Sequence, residues 1–217
     1  MREAPFRETL LYLLIAVTAL SAGTRMAHDP DRDQLRSDGY ALTDYLPTYI
    51  AVQLYNEGRT AAIYDRRPYQ NHVNPDWVRY ERTLSPGTFD THFTNMPAWL
   101  WLFYGLAGLM DLERLAWFNW GFNAILLCGV AVYLALIAPA GPVGRSLFIA
   151  AFCSSHIAQE LLFLGQDFPK GYAAVLWCVH SYLRRRYLTS AFAYVLAAII
   201  TPWALVMILW PGLQRDY

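Results

Sequence analysis

LAWFNWGFNAILLCGVAVYLALIAPAGPVG, residues 115–144, runs for 30 residues without a charge. A helix rises about 1.5 Å per residue and the hydrocarbon layer of a bilayer is about 30 Å thick, so about 20 apolar residues suffice to cross it. Similar uncharged runs occur at Thr9–Thr24, Thr91–Met110, Ser146–Gln159, Gly171–Leu183 and Tyr187–Gln214. The runs from Thr91, Leu115 and Tyr187 have the length to span. The others are short, and need Leu161–Gly165 to extend the fourth past Glu160 and snorkelling by Arg184–Arg186 to complete the fifth. Of 217 residues, 56% are hydrophobic and 34 are charged, and 18 of those charges fall between Arg25 and Asp90. Such segregation argues against an ordinary soluble domain. The expected fold is all-α: a polytopic helical membrane bundle with a long extracytoplasmic first loop. Its parts are a first transmembrane helix over 1–24, a loop over 25–94 with an amphipathic helix at 43–57, and the bundle over 95–217.

The first run also fits a signal peptide, with a basic start, an apolar middle and small residues after it. An uncleaved span is preferred because several more follow. Cys128, Cys153 and Cys178 all sit in apolar runs without zinc-site spacing and read as small buried hydrophobes. A formal net charge of zero and no basic stripe interleaved with aromatics outside the loop argue against nucleic acid. P-loop, GxSxG, HExxH and GxGxxG signatures are absent.

Orientation poses a conflict. A cytoplasmic N-terminus puts the charged block outside, and strict alternation through six spans then puts Arg184–Arg186 outside too, against the positive-inside rule. Two repairs are open: Arg145 to Gln166 forms a broken or re-entrant pair, or one short segment does not cross. The broken pair is favoured because Ser154, Ser155, His156, Gln159 and Glu160 make that region unusually polar for lipid.

Within the loop, SDGYALTDYLPTYIAVQLYNEGRTAAIYD (37–65) reads as an ordered helix. Thr43 or Asp44 can cap it, Pro47 fits its first turn and Gly58 can stop it. Tyr45, Tyr49, Val52 and one side of Leu54–Tyr55 would form an aromatic and aliphatic stripe, suited to lying along a membrane surface or against the bundle. The flanking stretch from Arg66 to Asp90 is expected to be less regular. Asp38 and Asp44 flank the helix start, where the dipole holds a carboxylate ionised; either could be a general base, and either could simply cap. His156 and Glu160, one turn apart, could pair or hold a divalent cation inside the bundle.

TDYLPTYIAVQLYNEGRTAAIYD (43–65) resembles the motif after the first span in polyprenol-phosphate-mannose-dependent α-1,2-mannosyltransferases, glycosyltransferase family 87 of the GT-C superfamily. Asp44, Tyr45, Tyr49, Ala51, Gly58, Tyr64 and Asp65 stand at matching places. FTNMPAW (93–99), LLFLGQDF (161–168) and LRRRYLTSAFAYVLAAIITPWALVMIL (183–209) resemble later family segments, in the same order. The chain departs at Met96-Pro97, where consecutive prolines are common, and at Thr201-Pro202, where Lys commonly precedes Pro. Family members run longer, so the resemblance implies the N-terminal part of such a protein.

The resemblance implies a membrane glycosyltransferase, resident in a bacterial inner (plasma) membrane, that moves a mannose-like sugar from a polyprenyl-phosphate donor to an extracytoplasmic glycan or glycolipid acceptor. Asp44, with Asp38 second, is the implied catalytic carboxylate. Tyr45, Tyr49, Arg36, His92, Gln166 and Lys170 are the implied substrate-binding residues, with Arg66, Arg67 and Arg79 also available for phosphate. No organic cofactor is implied. Asp44, His92 and Gln166 are expected to approach one cavity open to the outer face. The alternative is a noncatalytic GT-C-like subunit or truncated relative that serves as a scaffold or lipid-binding module.

Overall fold

The computed structural model describes residues 6–26, 46–67, 72–84, 109–163 and 168–200. These are helical but for a two-residue antiparallel pairing of β1 (Arg66–Arg67) with β2 (His72–Val73). The helices are α1 (Phe6–Met26), α2 (Leu46–Asn56), α3 (Thr60–Tyr64), α4 (Pro75–Leu84), α5 (Leu112–Ile137), α6 (Pro142–Ser154), α7 (His156–Phe163), α8 (Phe168–Leu183) and α9 (Tyr187–Ile200). They divide into two compact units: one of residues 1–27, 122–162 and 167–217, the other of 28–121 and 163–166.

In the first unit, α1 buries only a stripe at Tyr12, Ala16, Leu20 and Gly23, the spacing of one helix face. The rest of α1 is apolar and open: Phe6 is 81% exposed and Leu14 63%. Ile125 on α5 is 70% exposed as well. Phe6–Arg25 and Trp117–Ile137 are each long and apolar enough to cross a membrane.

The direction of packing is fixed by contacts at both ends of α1. Near its start, Glu8 accepts from Arg145 at 3.1 Å and from the Tyr12 hydroxyl at 3.0 Å. Near its end, Gly23 lies so close to α6 that an added Cβ would stand 2.9 Å from the Ser154 Cα and 2.6 Å from Gln159 Nε2. Early contacts early and late contacts late, so α1 and α6 run parallel. α5 turns back through the Pro139–Gly141 stretch and runs antiparallel to α6, with the Cys128 and Cys153 thiols close together and Arg145 reaching the Ala138 carbonyl. On α8, His180 Nδ1 shares a 2.7 Å hydrogen bond with the Tyr133 hydroxyl of α5, each residue in the second half of its helix. Glu8, Arg145, Tyr133, His180 and the turn after α8 therefore cluster toward one end of this unit.

α8 and α9 form a hairpin whose facing positions are small. Gly171, Ala174, Cys178 and Ser181 meet Ser190, Ala193 and Ala197, and the Ser190 hydroxyl donates to the Cys178 carbonyl at 3.0 Å. Small side chains let two backbones approach closely, the usual basis of helix pairing in lipid. The turn closes with backbone bonds from Arg186 N to Ser181 O and from Arg185 N to Tyr182 O. That pattern demands a left-handed residue, and Arg185 supplies it at φ 57° although glycine is the usual occupant.

In the second unit, α2 ends the same way: Gly58 takes φ 74°, Gly58 N bonds Tyr55 O and Arg59 N bonds Leu54 O. The glycine stop is thus where the sequence places it, and the helix falls within the expected 43–57. Its buried face matches the expected stripe at Val52 and Leu54 but not at Tyr49 and Tyr55. Leu46, Ile50 and Leu54, spaced by four, are buried with Thr48, Ala51 and Val52, while Tyr55 is 36% exposed and Tyr49 half-buried. Tyr45 lies outside the described residues. Burial on most sides makes α2 the core of its unit, packed against α3 and α4. The expectation of irregularity after Arg66 is also corrected by α4. Asn74 Oδ1 accepts from the Asp76 backbone N–H at 2.9 Å, and Pro75 fills the first helical position. Trp77 then anchors the helix in the core at 3% exposure. The signal was legible in NPDW: an N-cap, a proline at N1 and an acid in the first turn.

Gly23→Ala is expected to destabilise the protein by about 1–3 kcal/mol through overpacking, because Ser154 Cα is backbone and cannot yield cheaply. Gly129→Ala, on α5 with open space around the added methyl, should be neutral or stabilising. Unfolding of both variants in mixed micelles checks the contrast.

Candidate functional site

Two polar constellations stand out, one in each unit. In the second unit, Glu57 at the end of α2 gathers three partners: the Tyr80 hydroxyl, Arg79 at 3.6 Å and Arg59 at 3.7 Å. Arg59 also pairs with Asp76 on α4. Asn74 donates to Asp65 at 3.1 Å, tying the start of α4 back to the end of α3. These groups are close to half-exposed, so each ion pair contributes little alone, and the network acts by joining three helices. The hydrogen bond to the Glu57 carboxylate, then burial, raises the Tyr80 hydroxyl above the usual tyrosine range. Tyr80 stays a neutral donor. Arg79, one of the cations available for a phosphate, is engaged by Glu57.

Tyr49 lies on the same helix. Burial and then the negative charge of Asp111 raise its hydroxyl, against a hydrogen bond from Gln53. A half-buried phenol that keeps its proton can donate to a hydroxyl or anionic oxygen, the chemistry expected of a substrate-positioning group. Asp111 itself caps α5, accepting from the Arg114 backbone N–H at 2.8 Å.

In the first unit, the chain breaks between α6 and α7. Ser155 is extended, at φ −64° and ψ 149°, and its hydroxyl donates to the Phe152 carbonyl and accepts from the Ala158 N–H. Gln159, buried to 6%, satisfies the opened backbone: its Nε2 donates to the Cys153 carbonyl at 3.0 Å. Its Oε1 lies 2.9 Å from the Thr24 hydroxyl on α1. The polar run in this region thus builds a satisfied joint that fastens α1 to the break. Sequence reading found the polarity but not its partner, because Thr24 is 135 residues away.

Lys170 is 8% exposed in the first turn of α8, a place where a buried cation is costly without a countercharge. His156 and Glu160 do approach, at 3.7 Å, but His156 is 76% exposed in place of lying inside the bundle. No group of three or more metal-binding side chains occurs among the described residues. Arg36, Asp38, Asp44, Tyr45, His92 and Gln166 lie outside the described residues, as do Met96, Pro97, Thr201 and Pro202. Of the expected site residues, Tyr49 and Lys170 are placed, one in each unit. The expected convergence of Asp44, His92 and Gln166 falls wholly outside the described residues. Compared with protein-family models, curated proteins and solved structures, the chain matches none of them.

Glu57→Gln is expected to bring Tyr80 back toward the ordinary tyrosine value of about 10. Because the folded value is raised, the stability from the Tyr80–Glu57 contact is complete below about pH 10 and lost as pH rises through the higher folded value. The stability difference between the parent and Tyr80→Phe should therefore be flat through neutral pH and shrink in strong alkali. Denaturant unfolding across that range, with tyrosine NMR titration, measures both.

Proposed function

We propose that the chain is a multi-pass membrane glycosyltransferase of the GT-C kind, transferring a mannose-like sugar from a polyprenyl-phosphate donor to an extracytoplasmic glycan or glycolipid. The observation that carries the reading is the motif around α2. Asp44 stands two residues before the described helix, Tyr49 keeps its proton on it, and Gly58 ends it at the motif's glycine. Support for the membrane part comes from the open apolar faces of α1 and α5, whose exposure to water would be costly.

The parallel packing of α1 and α6 supports an orientation without the charge conflict. With the start of α1 in the cytoplasm, α1 and α6 run outward and α5 and α8 run inward. Arg7, Arg145 and Arg184–Arg186 then all lie at the cytoplasmic end, as the positive-inside rule asks. The α6–α7 stretch is then broken yet crosses once.

In the proposed reaction, the Asp44 carboxylate takes the proton of the acceptor hydroxyl as its oxygen bonds the anomeric carbon. The bond from that carbon to the phosphate oxygen breaks, and the polyprenyl phosphate leaves as an anion. Tyr49 donates to acceptor or phosphate oxygen, and cationic groups steady the leaving charge. Thr201, where the family commonly has Lys, favours the second reading, a noncatalytic GT-C-like scaffold or lipid-binding subunit.

Asp44→Asn keeps a capping side chain but removes the charge, so sugar transfer by purified, folded protein should fall about 10²–10⁴-fold. Near-normal transfer would move the role to Asp38, and no transfer by the parent would favour the scaffold. In a cysteine-free background, Ala140→Cys and Arg185→Cys should resist an impermeant maleimide applied to intact cells, whereas Thr83→Cys should react. Labelling of Arg185→Cys from outside would overturn the orientation.

A further inference from the structure

The turn joining α8 to α9 carries Arg184, Arg185 and Arg186, all exposed. Between Phe168 and Ile200 the hairpin contains no Asp or Glu. None of the three arginines has an ion-pair partner among the described residues, and three positive charges stand side by side at the tip. The turn is closed by backbone hydrogen bonds. Arg185 is pinned at φ 57° by the bonds that close the helix, a conformation costly for any residue with a Cβ and routine for glycine. Nothing in the packing of the hairpin calls for arginine at that position.

The surroundings of the tip are those of a membrane boundary. Tyr182 and Tyr187 meet edge to face with ring centroids 5.9 Å apart, immediately beside the arginines. Leu183 is 68% exposed and Leu188 90%. Beside the three guanidinium groups, two amphipathic rings and two exposed leucines thus sit together, the mixture of charged, amphipathic and apolar groups found where a leaflet meets water. An acidic protein surface would complement the charges but leave Leu183 and Leu188 in water.

We propose that this tip binds the headgroups of anionic phospholipids. Guanidinium groups meet phosphate oxygens through charge-assisted, often bidentate, hydrogen bonds, and the closed turn keeps the three backbones that carry them at one spot. The inference rests on the membrane reading above and is independent of the transferase assignment.

The test uses the full chain in neutral detergent, with thermal unfolding followed as mixed micelles of phosphatidylglycerol or phosphatidylcholine are added. Phosphatidylglycerol is expected to raise the midpoint, phosphatidylcholine to leave it, and high salt to weaken the effect. In the R184Q/R185G/R186Q variant, glycine preserves the left-handed position. Its half-saturating phosphatidylglycerol concentration should rise about a hundredfold, about fivefold per arginine. R184K/R185K/R186K should stay within several-fold of the parent, and Arg82→Gln, exposed in the other unit, should not change it. Equal responses to both lipids, or an unchanged half-saturating concentration in the neutral variant, would overturn the proposal. Equal stabilisation by polyglutamate would overturn it in favour of an acidic protein partner. Release of the chain from membranes by alkaline carbonate would instead overturn the membrane reading itself.

Discussion

The absence of a side chain at Gly23 is the constraint on which most of the first unit depends. It lets the end of α1 rest against Ser154 at a distance no Cβ would permit. There Thr24 reaches the Gln159 amide that closes the break at Ser155. With Glu8 and Arg145 paired at the other end, α1 has one direction along α6. Hydrogen bonds of this kind are worth about 1 kcal/mol each. Their larger effect is to specify one parallel arrangement among several that apolar contact alone would allow.

The second unit is organised by termini. Gly58 ends α2, Asn74 starts α4 and Asp111 starts α5, each through backbone groups that would otherwise go unsatisfied. Around these ends, Glu57 collects Arg59, Arg79 and Tyr80, which brings α2 and α4 together over Leu54, Ile63 and Trp77. A motif that reads as a functional signature therefore has structural work as well. Gly58 is required by the turn whatever the chemistry, and Tyr49 is held by burial beside Asp111.

The proposed orientation also gives the arginines a common logic. Arg145 is paired and ties three elements together, whereas Arg184–Arg186 are exposed and have no ion-pair partner among the described residues. The first kind positions helices. The second meets whatever lies beyond the bundle, and an anionic leaflet fits both its charge and its aliphatic flank.

Helix content, the glycine stop at 58 and the breakers at 139–142 were legible in the sequence because they are local: a cap, a φ or a missing N–H acts within one turn. The helix at 75–84 was equally local, and NPDW announced it, but high polarity masked the signal. The buried face of α2 was not legible. Its apolar residues occur on most sides, so periodicity offered Tyr45–Tyr49–Val52 as readily as Leu46–Ile50–Leu54, and only the presence of α3 and α4 chose between them. Of the candidate site, residue types and motif order could be read, while the surroundings of Tyr49 and Lys170 could not, since burial is set by distant segments. The direction of each helix belongs wholly to tertiary structure. An apolar run has the same composition in either direction, and only the pairs Glu8–Arg145 and Thr24–Gln159, each more than 130 residues apart, distinguish them.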